Sequence, residues 1–210
     1  MRDFVLFFIS IFSIVNPFSA IPTFVSMTGG APKAVRRSMI TQASVAVFAI
    51  LVASYLAGGS LLSFFSIRIA SLRVAGGVLI FAMAWSMLHA RISPAKQTPE
   101  EALETTEREA TAIVPLAMPL MAGPGAISLM IIEAGRGGGM AHHVSVALAV
   151  LALAASIWVI LQAAGPIARA LGQTGMNVAT RFMGLILAAI AVEFVAAGLT
   201  EIFPGWAVGS

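Results

Sequence analysis

Ile14-Val15-Asn16-Pro17-Phe18-Ser19-Ala20-Ile21-Pro22 interrupts an apolar run that begins at Phe4, and Ala122-Gly123-Pro124-Gly125-Ala126-Ile127-Ser128 interrupts a later run in the same way. Pro17 and Pro124 lie 107 residues apart. Proline removes a backbone donor and ends a helix, and glycine opens conformations closed to other residues. From Phe4 to Val15 is only about 18 Å of helix, too short for about 30 Å of hydrocarbon, so the first break falls at membrane depth. Paired interruptions in corresponding halves of an apolar chain point to a transporter's binding site.

The surrounding chain is of membrane type. Of its residues 59% are hydrophobic and 10% charged, where soluble domains carry about 25% charged, and the mean hydropathy is +0.97. The net charge is +3, but Lys and Arg form no long cluster, so the basic balance belongs to loops beside a membrane and not to a nucleic-acid surface. The chain has no cysteine, and its histidines (His89, His142, His143) are too scattered for a metal centre. No cofactor is expected. Arg2 before Phe4 to Val15, with Ser19-Ala20 after it, has the outline of a signal peptide. Asp3 adjoins Arg2, however, and the second half carries a comparable segment, so this stretch reads as the first membrane helix.

Runs long enough to span occur at residues 4–28, 38–62, 67–88, 111–133, 143–166 and 178–200. The expected fold is therefore all-α, a single membrane domain of six transmembrane helices over residues 1–210. Repeat 1 covers 1–90, a cytoplasmic linker 91–110 and repeat 2 111–210, with discontinuous first and fourth helices. The linker region holds five of the nine acidic residues, and Thr98-Pro99-Glu100-Glu101 has the pattern that starts a short surface helix. Arg73-Val74-Ala75-Gly76 recurs as Arg181-Phe182-Met183-Gly184 at an offset of 108, and Ala57-Gly58 as Ala164-Gly165 at 107. A repeat of three spans is odd, so the second copy enters the membrane from the opposite side and the halves form an inverted pair.

Eight basic residues (Lys33, Arg36, Arg37, Arg91, Lys96, Arg108, Arg169, Arg181) fall on one side and four (Arg2, Arg68, Arg73, Arg136) on the other. The first side is expected to be cytoplasmic, with both termini outside.

At each break a second half-helix begins. Its first amides, around Ser19 to Ile21 and Gly125 to Ile127, are expected to be free for an anion, and carbonyls near Val15 and Phe18 to lack helical partners. Together they suit a zwitterion. Small residues (Ala20, Gly123, Gly125, Ala126) and neutral hydrogen-bonding groups (Asn16, Ser19, Thr23, Ser128) favour a small one. The candidate binding set is Asn16, Pro17, Ser19, Ala20, Ile21, Thr23, Gly123, Pro124, Gly125, Ala126, Ile127 and Ser128. Ser10, Ser13 and Asn16 recur every third residue, on one face of the first half-helix. Glu193 is read as the one carboxylate well inside a span and a candidate for coupling to a proton or cation. Arg73 and Arg181 read as interface anchors, and Gly135-Arg136-Gly137-Gly138-Gly139 as an outer turn.

On Ile14 to Pro22, on Val114-Pro115-Leu116-Ala117-Met118-Pro119-Leu120 and on Ala122 to Ser128, the chain resembles the MarC family of bacterial integral membrane proteins over nearly its whole length. The resemblance implies six spans, a distant relation to LysE-type exporters, residence in the bacterial inner membrane, and transport of small neutral amino acids such as glycine and alanine, centred on Asn16, Pro17, Gly123, Pro124 and Gly125. Phe18-Ser19 replaces an apolar residue and a glycine usual in the first motif, which implies a narrower pocket. The alternatives are a membrane scaffold without transport and an exporter of another small metabolite. No catalytic constellation is present, neither His-Glu-x-x-His, paired membrane aspartates nor a serine elbow, so an enzyme is not expected.

Overall fold

The computed structural model describes residues 2–89 and 121–207. The linker, with Thr98 to Glu101, and the Val114 to Leu120 motif lie outside the described residues. All regular structure among the described residues is helical: α1 (Arg2–Val15), α2 (Ile21–Met27), α3 (Lys33–Phe64), α4 (Ile69–Leu88), α5 (Pro124–Gly135), α6 (Met140–Gln162) and α7 (Ala164–Ile202). Short 3-10 turns occupy Pro17–Ala20 and Pro204–Ala207.

Among the described residues five stretches are long and apolar enough to cross a membrane: Phe4–Val25, Lys33–Phe64, Ile69–Leu88, Met140–Gln162 and Thr174–Ile202. Of the expected fourth span, 111–133, residues 111–120 lie outside the described residues, and the described part carries α5, whose 12 residues make about 18 Å of helix. The break-and-restart of the first helix is present. α3 is longer than its expected span because it begins with a polar first turn, Lys33 to Arg37, ahead of the apolar stretch. α7 has 39 residues and bends at Gly172 (φ 60°, ψ −176°), a conformation open to glycine; this bend separates its first turns from the apolar stretch that follows.

The longer helices each bury one stripe, whereas α5 is buried nearly all round from Gly125 to Glu133. In α1 Phe7, Ile11, Ile14 and Val15 face inward while Val5, Leu6 and Ile9 face out, the spacing of an amphipathic helix whose outer face meets lipid. Phe4, Phe8, Phe12 and Phe18 form a ladder with ring centroids 6.2, 5.7 and 6.1 Å apart, so aromatic packing carries across the break. α3 packs on α5 and α6, α1 on α6 and α2 on α7.

α4 and α7 pack together along most of their length. A Cβ at Gly77 would stand 2.9 Å from the Ala191 carbonyl oxygen and 3.0 Å from the Val195 nitrogen, and one at Gly198 would stand 2.9 and 3.0 Å from the same atoms of Ala70 and Val74. The repeated pattern is Ala-x-x-x-Val-x-x-Gly, at Ala70-Val74-Gly77 and Ala191-Val195-Gly198. Each copy's glycine receives the other's backbone, so the helices run antiparallel in backbone contact, as small residues permit in lipid, where burial of apolar surface drives little association. The copies are offset by 121 residues, unlike the 107 to 108 of the other landmarks. Gly76 and Gly184, matched at 108, meet different neighbours, Ser128 of α5 and Ala84 of α4.

Candidate functional site

The first break is built on Asn16. Its N–H still donates to the Phe12 carbonyl at 2.8 Å, but its backbone takes φ 45°, ψ 71°, a left-handed conformation that asparagine visits more readily than most residues. Pro17, already without a donor, then opens the 3-10 turn. The Ser19 N–H and hydroxyl both donate to the Asn16 carbonyl, at 3.0 and 2.8 Å, and the Ile21 N–H donates to the Phe18 carbonyl.

The second break restarts more simply. Gly123 has an extended backbone (φ −71°, ψ 176°) open to any residue, Pro124 takes the first helical position, and the amides of Ala126 and Ile127 donate to the Gly123 carbonyl at 3.0 and 3.2 Å. Four of the amides expected to stand free for an anion, those of Ser19, Ile21, Ala126 and Ile127, are thus bonded to backbone. So is the Phe18 carbonyl expected to lack a partner. Tight bonds at a helix start satisfy the orphan groups locally, which sequence spacing does not reveal.

What remains is the Asn16 side chain. Asn16 is fully buried and its Oδ1 has no hydrogen-bond partner, while Nδ2 lies 3.9 Å from the Met87 sulfur, a weak acceptor. Leaving a buried acceptor unmet costs about 1–3 kcal/mol, which a bound donor would recover.

The breaks meet across α4. A Cβ at Gly125 would stand 2.6 Å from Ile80 Cγ1 and 3.3 Å from Ile14 Cγ2, and one at Gly76 would stand 2.9 Å from the Ser128 Cβ. One stretch of α4 therefore backs both breaks: Gly76 at Ser128, Ile80 at Gly125 and Met87 at Asn16. Pro17, Ala20, Ile21, Gly123, Gly125, Ala126 and Ser128 are buried, and Ser19, Thr23, Pro124 and Ile127 half-buried. Between Asn16, Ser19, Ile21 and the α7 residues Ile167, Met176 and Thr180 lies a void of about 20 Å³, room for about one water.

A larger cavity, about 540 Å³, opens at the other end of α1. Ser10, Arg73, Glu133, Arg136, His142 and Glu193 are among its lining residues. Ser10 in this cavity, Ser13 buried below it and Asn16 at the break make a polar file about 9 Å long down one face of α1.

Glu193 is exposed into this cavity. The carboxylate the sequence reading passed over is Glu133, whose side chain is 6% exposed: Oε2 accepts from Arg136 at 2.9 Å, and Oε1 lies 3.8 Å from His142 Nε2. His142 Nε2 is itself buried without a hydrogen-bond partner. The available signal was the three-residue step from Glu133 to Arg136, hidden by its place at the edge of an apolar run. Arg73, expected as an interface anchor, pairs with Glu201 at 2.9 Å. Among the described residues no group of acidic or histidine side chains has the arrangement of a metal site.

A profile of the MarC family of integral membrane proteins matches residues 1–203. The chain is 41% identical over 199 residues to the UPF0056 membrane protein YhcE of Escherichia coli, covering 95% of this chain and 93% of that one. It is 37% identical over 199 residues to YvbG of Bacillus subtilis, covering 94% of each, and 33% identical over 199 residues to a UPF0056 membrane protein of Aquifex aeolicus, covering 95% and 93%. No solved structure matches.

Proposed function

This chain belongs to the MarC family of multi-pass integral membrane proteins, and on that premise we propose that it is a secondary transporter of small neutral amino acids, of the size of glycine and alanine, in the bacterial inner membrane. The observation that carries the reading is the buried, unpartnered Asn16 Oδ1, at a break that meets the Gly123-Pro124-Gly125 break across α4. An ammonium group supplies the donor that this oxygen lacks. The void beside Asn16, about 20 Å³, is too small for any amino acid, so the bound state requires α1–α2 and the start of α7 to separate.

The charged cavity above serves as the approach. The Arg136–Glu133 and Arg73–Glu201 pairs and the exposed Glu193 present both signs of charge, which suits a zwitterion that must shed water before descending along Ser10 and Ser13. Glu193 and Glu133 are the groups offered to a coupling proton or cation. Alternating access follows from two inverted halves, and the antiparallel run of α4 and α7 supports that relation, since equivalent helices in an inverted pair must run in opposite directions. In this orientation the Arg136 end faces outward and the Arg36 end the cytoplasm. No chemical conversion is proposed.

The experiment is exchange of labelled glycine, alanine and serine in proteoliposomes. Saturable exchange that a bulky amino acid fails to compete supports the reading; folded protein with no flux of any of the three overturns it.

A further inference from the structure

At the Arg36 end lies a cavity of about 460 Å³ between the α2–α3 turn and the start of α7, with Gly29, Gly30, Arg36, Gly165 and Arg169 among its lining. We propose that it binds a phosphate group, supplied by an anionic lipid of the facing leaflet.

Among the described residues Arg36 is held in place without a counter-ion. Its guanidinium carbon lies 5.4 Å from the centroid of the Phe24 ring. The absence of a side chain at Gly165 admits the fork, since a Cβ there would stand 3.2 Å from Nη1 and 3.3 Å from Nη2. Nη2 is buried and has no hydrogen-bond partner. A guanidinium carries five donors and no acceptor, so stacking and fit position this group while its hydrogen-bonding capacity stays unmet.

Arg169 stands four residues beyond Gly165, on the same face of α7. Two arginines thus line one cavity with no carboxylate among the described lining residues. The first turns of α3 and α7 carry no acidic residue, and α3 begins with Lys33, Arg36 and Arg37, cations at the helix end that repels them. Glu133, Glu193 and Glu201 all line cavities at the opposite end. Among the described residues, like charges at this density, added to the positive end of α3, call for an anion.

The level of the cavity selects its source. Val25 ends one apolar span, Lys33 begins the next, and Arg169 precedes the span that starts at Thr174. The two arginines therefore sit where apolar helix gives way to polar chain, the depth of lipid headgroups, and basic pockets between helices at that depth suit anionic headgroups. A lipid phosphodiester offers its two non-bridging oxygens to the Arg36 fork, and either of them can accept a second hydrogen bond from Arg169. The Gly29-Gly30 turn leaves the approach open: nothing lies within 4 Å of where a Gly30 side chain would begin.

The test is thermal unfolding of the full chain in neutral detergent, titrated with short-chain phosphatidylglycerol, short-chain phosphatidylcholine, inorganic phosphate, and sodium chloride at matched ionic strength. The expected result is a saturable rise in Tm with phosphatidylglycerol, none with phosphatidylcholine or chloride, and a midpoint weakened about tenfold or more by Arg36→Ala or Arg169→Gln. Arg37→Ala, at an exposed residue outside the cavity, leaves the midpoint unchanged. No response to phosphatidylglycerol, or an undiminished response in both variants, overturns the proposal. Inorganic phosphate acting as strongly as the lipid overturns the lipid source. If Arg36→Ala does not fold, Arg169→Gln alone decides. The outcome is independent of whether the protein transports amino acids.

Discussion

Glu133 accepts a 2.9 Å hydrogen bond from Arg136 while its own side chain is 6% exposed and that of Arg136 is 61% exposed. The asymmetry predicts unequal losses. Arg136→Ala leaves a charge stranded in the protein and lowers stability by about 1–2 kcal/mol, the buried-pair penalty reduced by hydration at the arginine end. Glu133→Gln leaves a cation that water can solvate and costs less. Thermal unfolding of the two variants and of the double variant checks this; the double variant lies closer to Glu133→Gln than to Arg136→Ala.

Asn16 has two separable roles, its left-handed backbone and its unmet amide oxygen. Asn16→Gly keeps the backbone accessible, whereas Asn16→Ala places a less tolerant residue at φ 45° and is less stable than the glycine variant by about 1 kcal/mol. Both variants lose exchange in proteoliposomes if the oxygen binds substrate. Stability and flux measured together separate the roles.

Gly125 is closed to any side chain while Ile80 is in place. Gly125→Ala forces a methyl group to within 2.6 Å of Ile80 Cγ1 and destabilises by about 1–3 kcal/mol. Adding Ile80→Ala removes the obstructing atoms, so the double variant unfolds at a higher temperature than the sum of the single losses predicts. Gly123, with ordinary extended backbone, needs no such relief on backbone grounds.

The reciprocal seam makes a paired prediction. Gly77 and Gly198 face the same backbone atoms at the same distances, 2.9 and 3.0 Å, so Gly77→Ala and Gly198→Ala lower the unfolding temperature by similar amounts. Each costs at least about 1 kcal/mol, because backbone cannot turn aside as a side chain can. Alanine at Gly59, also inside a helix but with nothing within 4 Å, is the control: it makes no clash and raises stability by about 0.5–1 kcal/mol through helix propensity.

The native chain has no cysteine, so single cysteines report sidedness directly. Ala197 lines the Glu133 cavity and Ala168 the Arg36 cavity, about 44 Å apart along α7 if it ran straight. Ala197→Cys is expected to react with a membrane-impermeant maleimide in intact cells and Ala168→Cys only after the membrane is opened. The reverse pattern inverts the orientation.

Helices, breaks and exposed apolar faces were legible because periodicity, proline and glycine act within a few residues. The first break lies where expected, from Asn16 to Ile21. The fate of the amides was not legible, since whether Ser19 and Ala126 bond inward depends on carbonyl positions that only the folded turn fixes. Glu133 was missed because an acid at the end of an apolar run reads as interfacial until the packing of α6 covers it. The offset of 108 between Arg73 and Arg181 drew attention to one relation between the halves, while the contacts of α4 and α7 follow another, Ala70 to Gly77 against Ala191 to Gly198. Reciprocal contact between two copies of a short pattern leaves no trace in spacing along the chain.

That seam has a mechanical consequence. With Gly77 and Gly198 bringing backbone against backbone, and only the side chains of Val195 and Val74, stiff at χ1, beside them, α4 with the apolar part of α7 resists shear as one strut. A chain drawn out of a bilayer from its C-terminus would hold until α7 slips along α4, then give way in a single large rupture, and Gly77→Ala would lower that force before it altered any other step of the extraction.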